Sequence, residues 1–251
     1  MFLSCLDNIE IALAVEITKH PEDIISSPTS VQFLPPTSVK LIKTFNMGFY
    51  VYAVNVHNGR IYAGLPNSKL MRVEAAYGGT PNPSEFMSIG SGSVCSVQVY
   101  GNEFYLFGSA DKVYVYDFDK RLRRSWAHTS YSNNYCKLRV INGKVVVPGQ
   151  GSMSVYTLEG QLTKQITVPG MSTHYKSLAV CGDDSVILSD YGANSVSRIN
   201  IDSGEVMWTS KHVQQPAGVV CYKNRYVLVT NNSADVRLWI LDINTGSLGG
   251  K

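Results

Sequence analysis

Five short segments of this chain each carry a turn signal followed by an apolar run, and they return at a nearly fixed interval. The turn signals are Asn58-Gly59, Gly101-Asn102, Asn142-Gly143, Gly182-Asp183 and Lys223-Asn224. Measured between Gly59, Gly101, Gly143, Asp183 and Asn224, the spacings are 42, 42, 40 and 41 residues. The start of the next apolar run, at Leu70, Val113, Met153, Val196 and Val236, keeps the same rhythm, with spacings of 43, 40, 43 and 40. The stretch 97–118, VQVYGNEFYLFGSADKVYVYDF, shows the unit in full. Val, Tyr and Phe suit a half-buried pleat and Gly, Asn, Ser and Asp suit tight turns, so the unit reads strand, turn, strand, turn, strand.

A period of about 40 residues with strand signals alone indicates the blades of a propeller. The expected fold is therefore all-β, a β-propeller of about five four-stranded blades. Blades are expected near 49–90, 94–127, 135–168, 175–210 and 216 to the end. The fifth unit lacks a clear fourth strand, and Val39–Phe45, VKLIKTF, is expected to supply it and so spare the ring an open edge. The count permits a closed five-bladed ring or an incomplete six-bladed one. Before it, residues 5–20 read as a short helix: Asp7 is a plausible N-cap, Ala12 and Ala14 are good helix formers, and Pro21 is a natural stop. Ile9, Ile11, Leu13, Val15 and Ile17 also alternate as a strand would. Residues 21–38, with four prolines, read as an extended linker. The chain thus divides into a helix and linker (1–38) and a propeller (39–251).

With 44% apolar and 16% charged residues, disorder is excluded and a sizeable core is expected. The net charge of +3 does not by itself argue for nucleic acid or membrane. There is no run of eighteen apolar residues for a spanning helix, and the opening residues lack the basic leader of a secretory signal. Cys5, Cys95, Cys136, Cys181 and Cys221 are odd in number and without CxxC spacing, the last four near apolar runs, which points to reduced core thiols in a cytoplasmic protein.

In a propeller, the loops between strands two and three share one rim with the connections between blades, and polar loops on a rigid scaffold are the usual place for binding. The rim candidates are Asn67, Lys69, Asp111, Lys112, Asp190, Tyr191, Asn194, Asn232 and Asp235. The partner expected there is a protein or peptide rather than a small molecule. His128, His174 and His212 each fall in an interblade connection. Three convergent imidazoles would suit zinc or copper, but the spacing is irregular and no carboxylate partner repeats, so solvated or structural histidines are expected. The densest basic run is Lys120, Arg121, Arg123 and Arg124, with Trp126 close behind. Such a run can track a phosphate backbone while bases stack, and can equally be the solvated face of an outermost strand. No nucleophile elbow, phosphate-binding loop or dinucleotide fingerprint is present, so neither an enzyme nor a cofactor is expected. The remote alternative is a metal-dependent, lactonase-like hydrolase with oxygen ligands drawn from Asn67, Asp111, Asp190, Asn194 and Asn232.

The line Pro216-Ala217-Gly218-Val219-Val220, then Tyr226–Thr230, Asn231-Asn232 and Val236-Arg237-Leu238-Trp239-Ile240, resembles the NHL-type repeat. Residues 186–199, VILSDYGANSVSRI, are similar to its turn and third strand, with Asp190, Gly192, Asn194 and Arg198 at fitting places. Residues 12–36 are similar to the helix and linker that precede NHL propellers in tripartite-motif proteins. The resemblance implies a scaffold whose propeller binds protein or RNA, recruiting substrates for a ubiquitin ligase. The RING and B-box zinc modules that carry ligase activity in that family are not in this sequence, so that activity is not carried over. None of Trp126, Trp208 or Trp239 is followed by Asp, so the WD-repeat signature fails. Residues 200–204 and 242–246 are similar to quinoprotein-like turns, which Asp, Ser, Thr and Gly also build in ordinary hairpins.

Overall fold

The structure is a computed structural model. It describes residues 50–74, 83–90, 92–108, 111–128, 137–174, 176–232 and 238–249, together with the backbone of 10–12, 15–17, 39–41 and 44–46. Every described element is a strand. Ahead of the blades lie β1 (Glu10–Ala12), β2 (Val15–Ile17), β3 (Val39–Leu41) and β4 (Thr44–Asn46). Blade I is β5 (Ala53–His57), β6 (Arg60–Gly64), β7 (Lys69–Glu74) and β8 (Ser84–Ser88). Blade II is β9 (Val94–Tyr100), β10 (Glu103–Gly108), β11 (Lys112–Asp117) and β12 (Leu122–Ala127). Blade III is β13 (Arg139–Ile141), β14 (Lys144–Pro148), β15 (Ser152–Thr157) and β16 (Leu162–Thr167). Blade IV is β17 (Lys176–Cys181), β18 (Ser185–Asp190), β19 (Ser195–Asn200) and β20 (Val206–Ser210). Blade V is β21 (Pro216–Tyr222), β22 (Tyr226–Asn231) and β23 (Leu238–Asp242). Blades I to IV each pair their four strands antiparallel in chain order, and in blade V only Leu248, bridged to Leu241, stands where a fourth strand would lie.

The all-β expectation holds and the blade limits fall within a few residues of the expected ones, but the segment ahead of the blades differs. β1 and β2 replace the helix expected over 5–20. The strand-like alternation of residues 9–17 prevails over the helix propensity of two alanines, because that alternation finds a partner to pair with. β1 pairs with β4 and β2 with β3, both antiparallel and in one continuous register from Glu10↔Asn46 to Ile17↔Val39. Of the segment Val39–Phe45, the described strands β3 and β4 therefore pair with β2 and β1 and are not paired with the strands of blade V. The linker expected at 21–38 lies outside the described residues.

Alternation also decides how the blades pack. In β10, Phe104 and Leu106 face blade I while Tyr105 and Phe107 face blade III. In β14, Val145 and Val147 face blade II and Val146 faces blade IV, and in β18, Val186 and Leu188 face blade III and Ile187 faces blade V. Each middle strand is thus apolar on both faces, which is why it reads as a continuous run rather than an alternating one. At about 1.5–3 kcal/mol per fully buried aliphatic or aromatic side chain, these seams supply the main stabilisation.

Near the channel the innermost strands lack a neighbour on one edge, and side chains from adjacent blades satisfy it. The Ser96 hydroxyl accepts from Leu138 N–H (3.0 Å) and donates to its carbonyl (3.3 Å). The Gln98 amide does the same for Val140, at 2.8 and 3.1 Å. Lys137 Nζ donates to the carbonyls of Cys95 (2.8 Å) and Tyr52, tying blade III to blades II and I. Between blades IV and V a disulfide joins Cys181 to Cys221, with Cα atoms 5.4 Å apart. This corrects the expectation of reduced thiols for these two: adjacent inner strands bring residues one blade period apart into bonding distance. Cys95 is free and buried.

On the outside, one device recurs. Arg124, Lys164 and Trp208 stand at the same place in their outer strands, opposite Val115, Val155 and Arg198 and beside a register shift in the ladder. Each reaches the turn between strands three and four of the following blade. Arg124 Nε donates to Leu158 C=O at 2.7 Å, Lys164 Nζ to Asp202 C=O, and Trp208 Nε1 to Ile243 C=O at 2.8 Å. These latches lock blade II to III, III to IV and IV to V.

Candidate functional site

Strands alternate in direction, so the turns between second and third strands and the interblade connections come to one end of the propeller. There the chain is tied down by its own side chains. Asp190 is buried, and its carboxylate accepts from Ser172 N–H (2.7 Å), the Ser172 hydroxyl and Ala193 N–H (3.0 Å). Asn194, at φ 50°, accepts from Gln215 N–H through Oδ1 at 2.8 Å, and Gln215 C=O accepts from Asn232 N–H at 3.0 Å. Asp111 takes φ 52°, and its carbonyl accepts from His128 N–H at 2.7 Å. Lys69 is paired with Glu85 at 2.7 Å. These four expected rim residues, Asp190, Asn194, Asp111 and Lys69, therefore fix the loops. Asn67, Lys112 and Asn232 are exposed and Tyr191 is half-buried, so these can meet a partner. Asp235 lies outside the described residues.

Sequence reasoning missed two further features of this end. Tyr50, just ahead of the innermost strand of blade I, is 54% exposed. The charge leans to one sign: Lys112 and Lys211 are exposed, Lys137 and Lys176 stand at the entry of inner strands, and among the described residues the carboxylates here are Asp111, Glu85, paired with Lys69, and Asp190, spent on the backbone. The opposite end carries Asp119, Glu159, Asp183, Asp184, Asp202 and Glu205 in its turns, together with Lys120, Arg121, Lys223 and Arg225. Charge sorted by strand direction could have been read from the sequence once the turns were assigned to ends.

The histidines are not brought together. His128 is buried, its Nδ1 2.9 Å from the Tyr156 hydroxyl and its ring edge-on to Phe107, whereas His174 and His212 are exposed. Burial pushes the His128 imidazole down to about 4, against the opposing pull of Asp111 and the Pro148 carbonyl. Among the described residues no three His, Cys, Asp or Glu side chains gather to hold a metal ion.

The basic run is divided between structure and surface. Arg124 forms a two-pronged pair with Glu103 (2.8 and 2.6 Å), bonds the Tyr105 hydroxyl (3.0 Å) and makes the latch to Leu158. The hydrogen bonds from Arg124 hold the Glu103 carboxyl below the usual range, and burial with the Glu103 contact pushes the Tyr105 phenol up to about 12. Trp126 packs between Tyr156 and the turn at Gly160, where a Cβ would lie 2.5 Å from its ring. Lys120, at φ 66°, lays its ammonium 5.0 Å from the Phe86 ring centroid of blade I. Arg121 and Arg123 are exposed, as Lys120 is, and form loose pairs with Asp119 and Asp117.

The repeated four-stranded sheets, their shared inner edge and the turns sorted to two ends define a β-propeller. Solved structures agree. The nidogen–laminin complex matches at TM-score 0.73 with 12% identity, over 96% of this chain and 88% of that one. The WD40 β-propeller domain of Doa1 matches at 0.60 with 13% identity, over 79% and 66%. BamB from Moraxella catarrhalis matches at 0.50 with 15% identity, over 82% and 74%. No family model matches the sequence, and no curated protein matches it. Among the described residues no helix is long and apolar enough to cross a membrane.

Proposed function

We propose that this protein is a noncatalytic interaction module whose loop rim docks a carboxylate-bearing segment of a protein partner. The observation that carries the reading is the rim itself. Its backbone is held by Asp190, Asn194 and Gln215, while Lys112, Lys211, Asn67 and Asn232 are left exposed on the end of the propeller where carboxylates are fewest. A pre-set, one-signed surface loses little entropy on binding and steers an oppositely charged segment. The reading agrees with the substrate-recruiting role that the NHL-type resemblance implies. The match to the nidogen–laminin complex, an assembly of two proteins, adds support for a protein partner.

The second reading is RNA binding. It retains Lys120, Arg121 and Arg123, but Arg124 and Trp126 belong to the seam with blade III. Affinity purification with and without RNase separates the two. Partners that survive RNase and are released by 0.5 M salt, on the order of three Debye-length-halving steps above low salt, support docking on the rim. Recovery that depends on intact RNA would replace it with the second reading.

A further inference from the structure

We infer that blade I carries a site of spontaneous modification: Asn58 deamidates through Gly59, while the matching pair Asn142-Gly143 of blade III is held unreactive by its neighbours. Asn is followed by Gly at these two places only in the chain. An Asn carboxamide is open to attack by the backbone nitrogen of the next residue, and a glycine there puts no side chain in the way. In the step, the Gly59 nitrogen gives its proton to solvent base as it bonds to Cγ of Asn58. The Cγ–Nδ2 bond breaks, and the nitrogen leaves as ammonia with a proton returned by solvent. Water then opens the five-membered imide at either carbonyl, leaving aspartate or its isomer linked through the side-chain carboxyl.

The two pairs share one backbone. Each is the two-residue turn between the first and second strands of its blade, closed by His57↔Arg60 in one and Ile141↔Lys144 in the other. Asn58 and Gly59 stand at φ 48° and 71°, Asn142 and Gly143 at 46° and 69°. Asn58 and Asn142 are both exposed, so exposure does not separate them. The partners of the reacting atoms do. Gly143 N–H donates to the Tyr100 hydroxyl of blade II at 3.1 Å, and Asn142 Nδ2 donates to the Asp183 carbonyl of blade IV. The attacking and leaving nitrogens are tied to opposite neighbours, and both bonds must open before the carboxamide can swing over the glycine nitrogen. Among the described residues no side-chain hydrogen bond reaches the Asn58 carboxamide or Gly59 N–H. Conversion at Asn58 adds a carboxylate to the end opposite the rim, two residues from Arg60, itself paired with Glu74 at 3.0 Å. The isomer also lengthens the main chain by one methylene inside the turn that His57 and Arg60 close.

The test is peptide mapping by mass spectrometry of the full chain held at pH 8.5, folded and in urea, with fragmentation to place the gain of one mass unit. In the folded chain Asn58 is expected to convert about tenfold or more faster than Asn142. In urea the two should convert at similar rates, because the neighbouring blades no longer hold Asn142. Tyr100→Phe keeps the ring and removes the acceptor, so it should speed Asn142 in the folded chain and leave Asn58 as it was. Equal folded rates at the two sites, or Asn142 leading, overturn the inference. So does a folded chain in which neither site converts while both do in urea, since the turn alone would then protect Asn58. An Asn142 rate unmoved by Tyr100→Phe removes the protecting role given to blade II. None of these readouts depends on rim binding.

Discussion

At the residue scale, His128 shows how a propeller turns a polar side chain into a packing element. Its ring fills the blade II–III seam against Phe107 and Tyr156, and burial holds it neutral with a value of about 4. An unfolded histidine titrates near 6.5, so the folded value is depressed and the unfolded chain binds the proton first. Stability is thus fully present above about pH 6.5 and drains as pH falls toward 4, by about 3 kcal/mol at the lower end. Urea unfolding at pH 7.5 and pH 4.5 reads this directly. His128→Phe should remove most of the difference between the two pH values; a variant with the wild-type slope would place the loss elsewhere.

Among elements, the turn between strands three and four repays most attention, because it receives the preceding blade. Gly160 sits at φ 89° with an added Cβ falling 2.5 Å from Trp126, and Gly246 at φ 67° with one falling 2.5 Å from Trp208. Gly143 shares the positive φ, at 69°, but faces open space. Gly143→Ala should therefore cost only the left-handed strain of about 1–2 kcal/mol, whereas Gly160→Ala and Gly246→Ala add a clash with a wedged indole and should cost about 1–3 kcal/mol more. Thermal melts of the three variants separate strain from packing. The disulfide acts at the same scale: closing a 40-residue separation between inner strands of blades IV and V, it should contribute about 4 kcal/mol by chain-entropy reasoning. Cys221→Ser should melt several degrees lower and be insensitive to reductant, with intact mass by spectrometry recording whether the wild-type bond is formed. These elements also mark how far the sequence is legible. Strands, turns and blade limits could be read because alternation and turn glycines are local. The latches could not, since Arg124 and Trp208 are partners of carbonyls some 35 residues on, a relation that exists only between blades. The Cys181–Cys221 spacing of one blade period was a usable signal. The strands at 10–17 were hidden because their partner lies beyond a proline-rich stretch.

For the whole molecule, sorting the turns to two ends sorts the charge as well. Among the described residues the charges of the rim are mainly lysines, whereas the turns of the opposite end mix carboxylates with Lys120, Arg121, Lys223 and Arg225, so the rim is the more one-signed surface although the net charge is only +3. A partner segment rich in Asp or Glu approaching the rim meets Lys112 and Lys211 exposed, Lys211 also donating to Ala193 C=O at 2.7 Å, with Lys137 and Lys176 behind them bonded to backbone carbonyls. The exposed pair sets the approach, and the loops beneath do not have to reorganise. Charge reversal by Lys112→Glu with Lys211→Glu should therefore lower the association rate for a captured partner by about tenfold or more in low salt. It should also flatten the dependence of affinity on ionic strength and leave the melting temperature within a degree or two, since neither side chain is in a seam. Reversal of Glu159 and Asp119 on the other end serves as the control and should leave binding in place. Surface plasmon resonance across a salt series decides it: a double rim variant that binds with the wild-type rate and salt slope would move the partner off this end of the propeller.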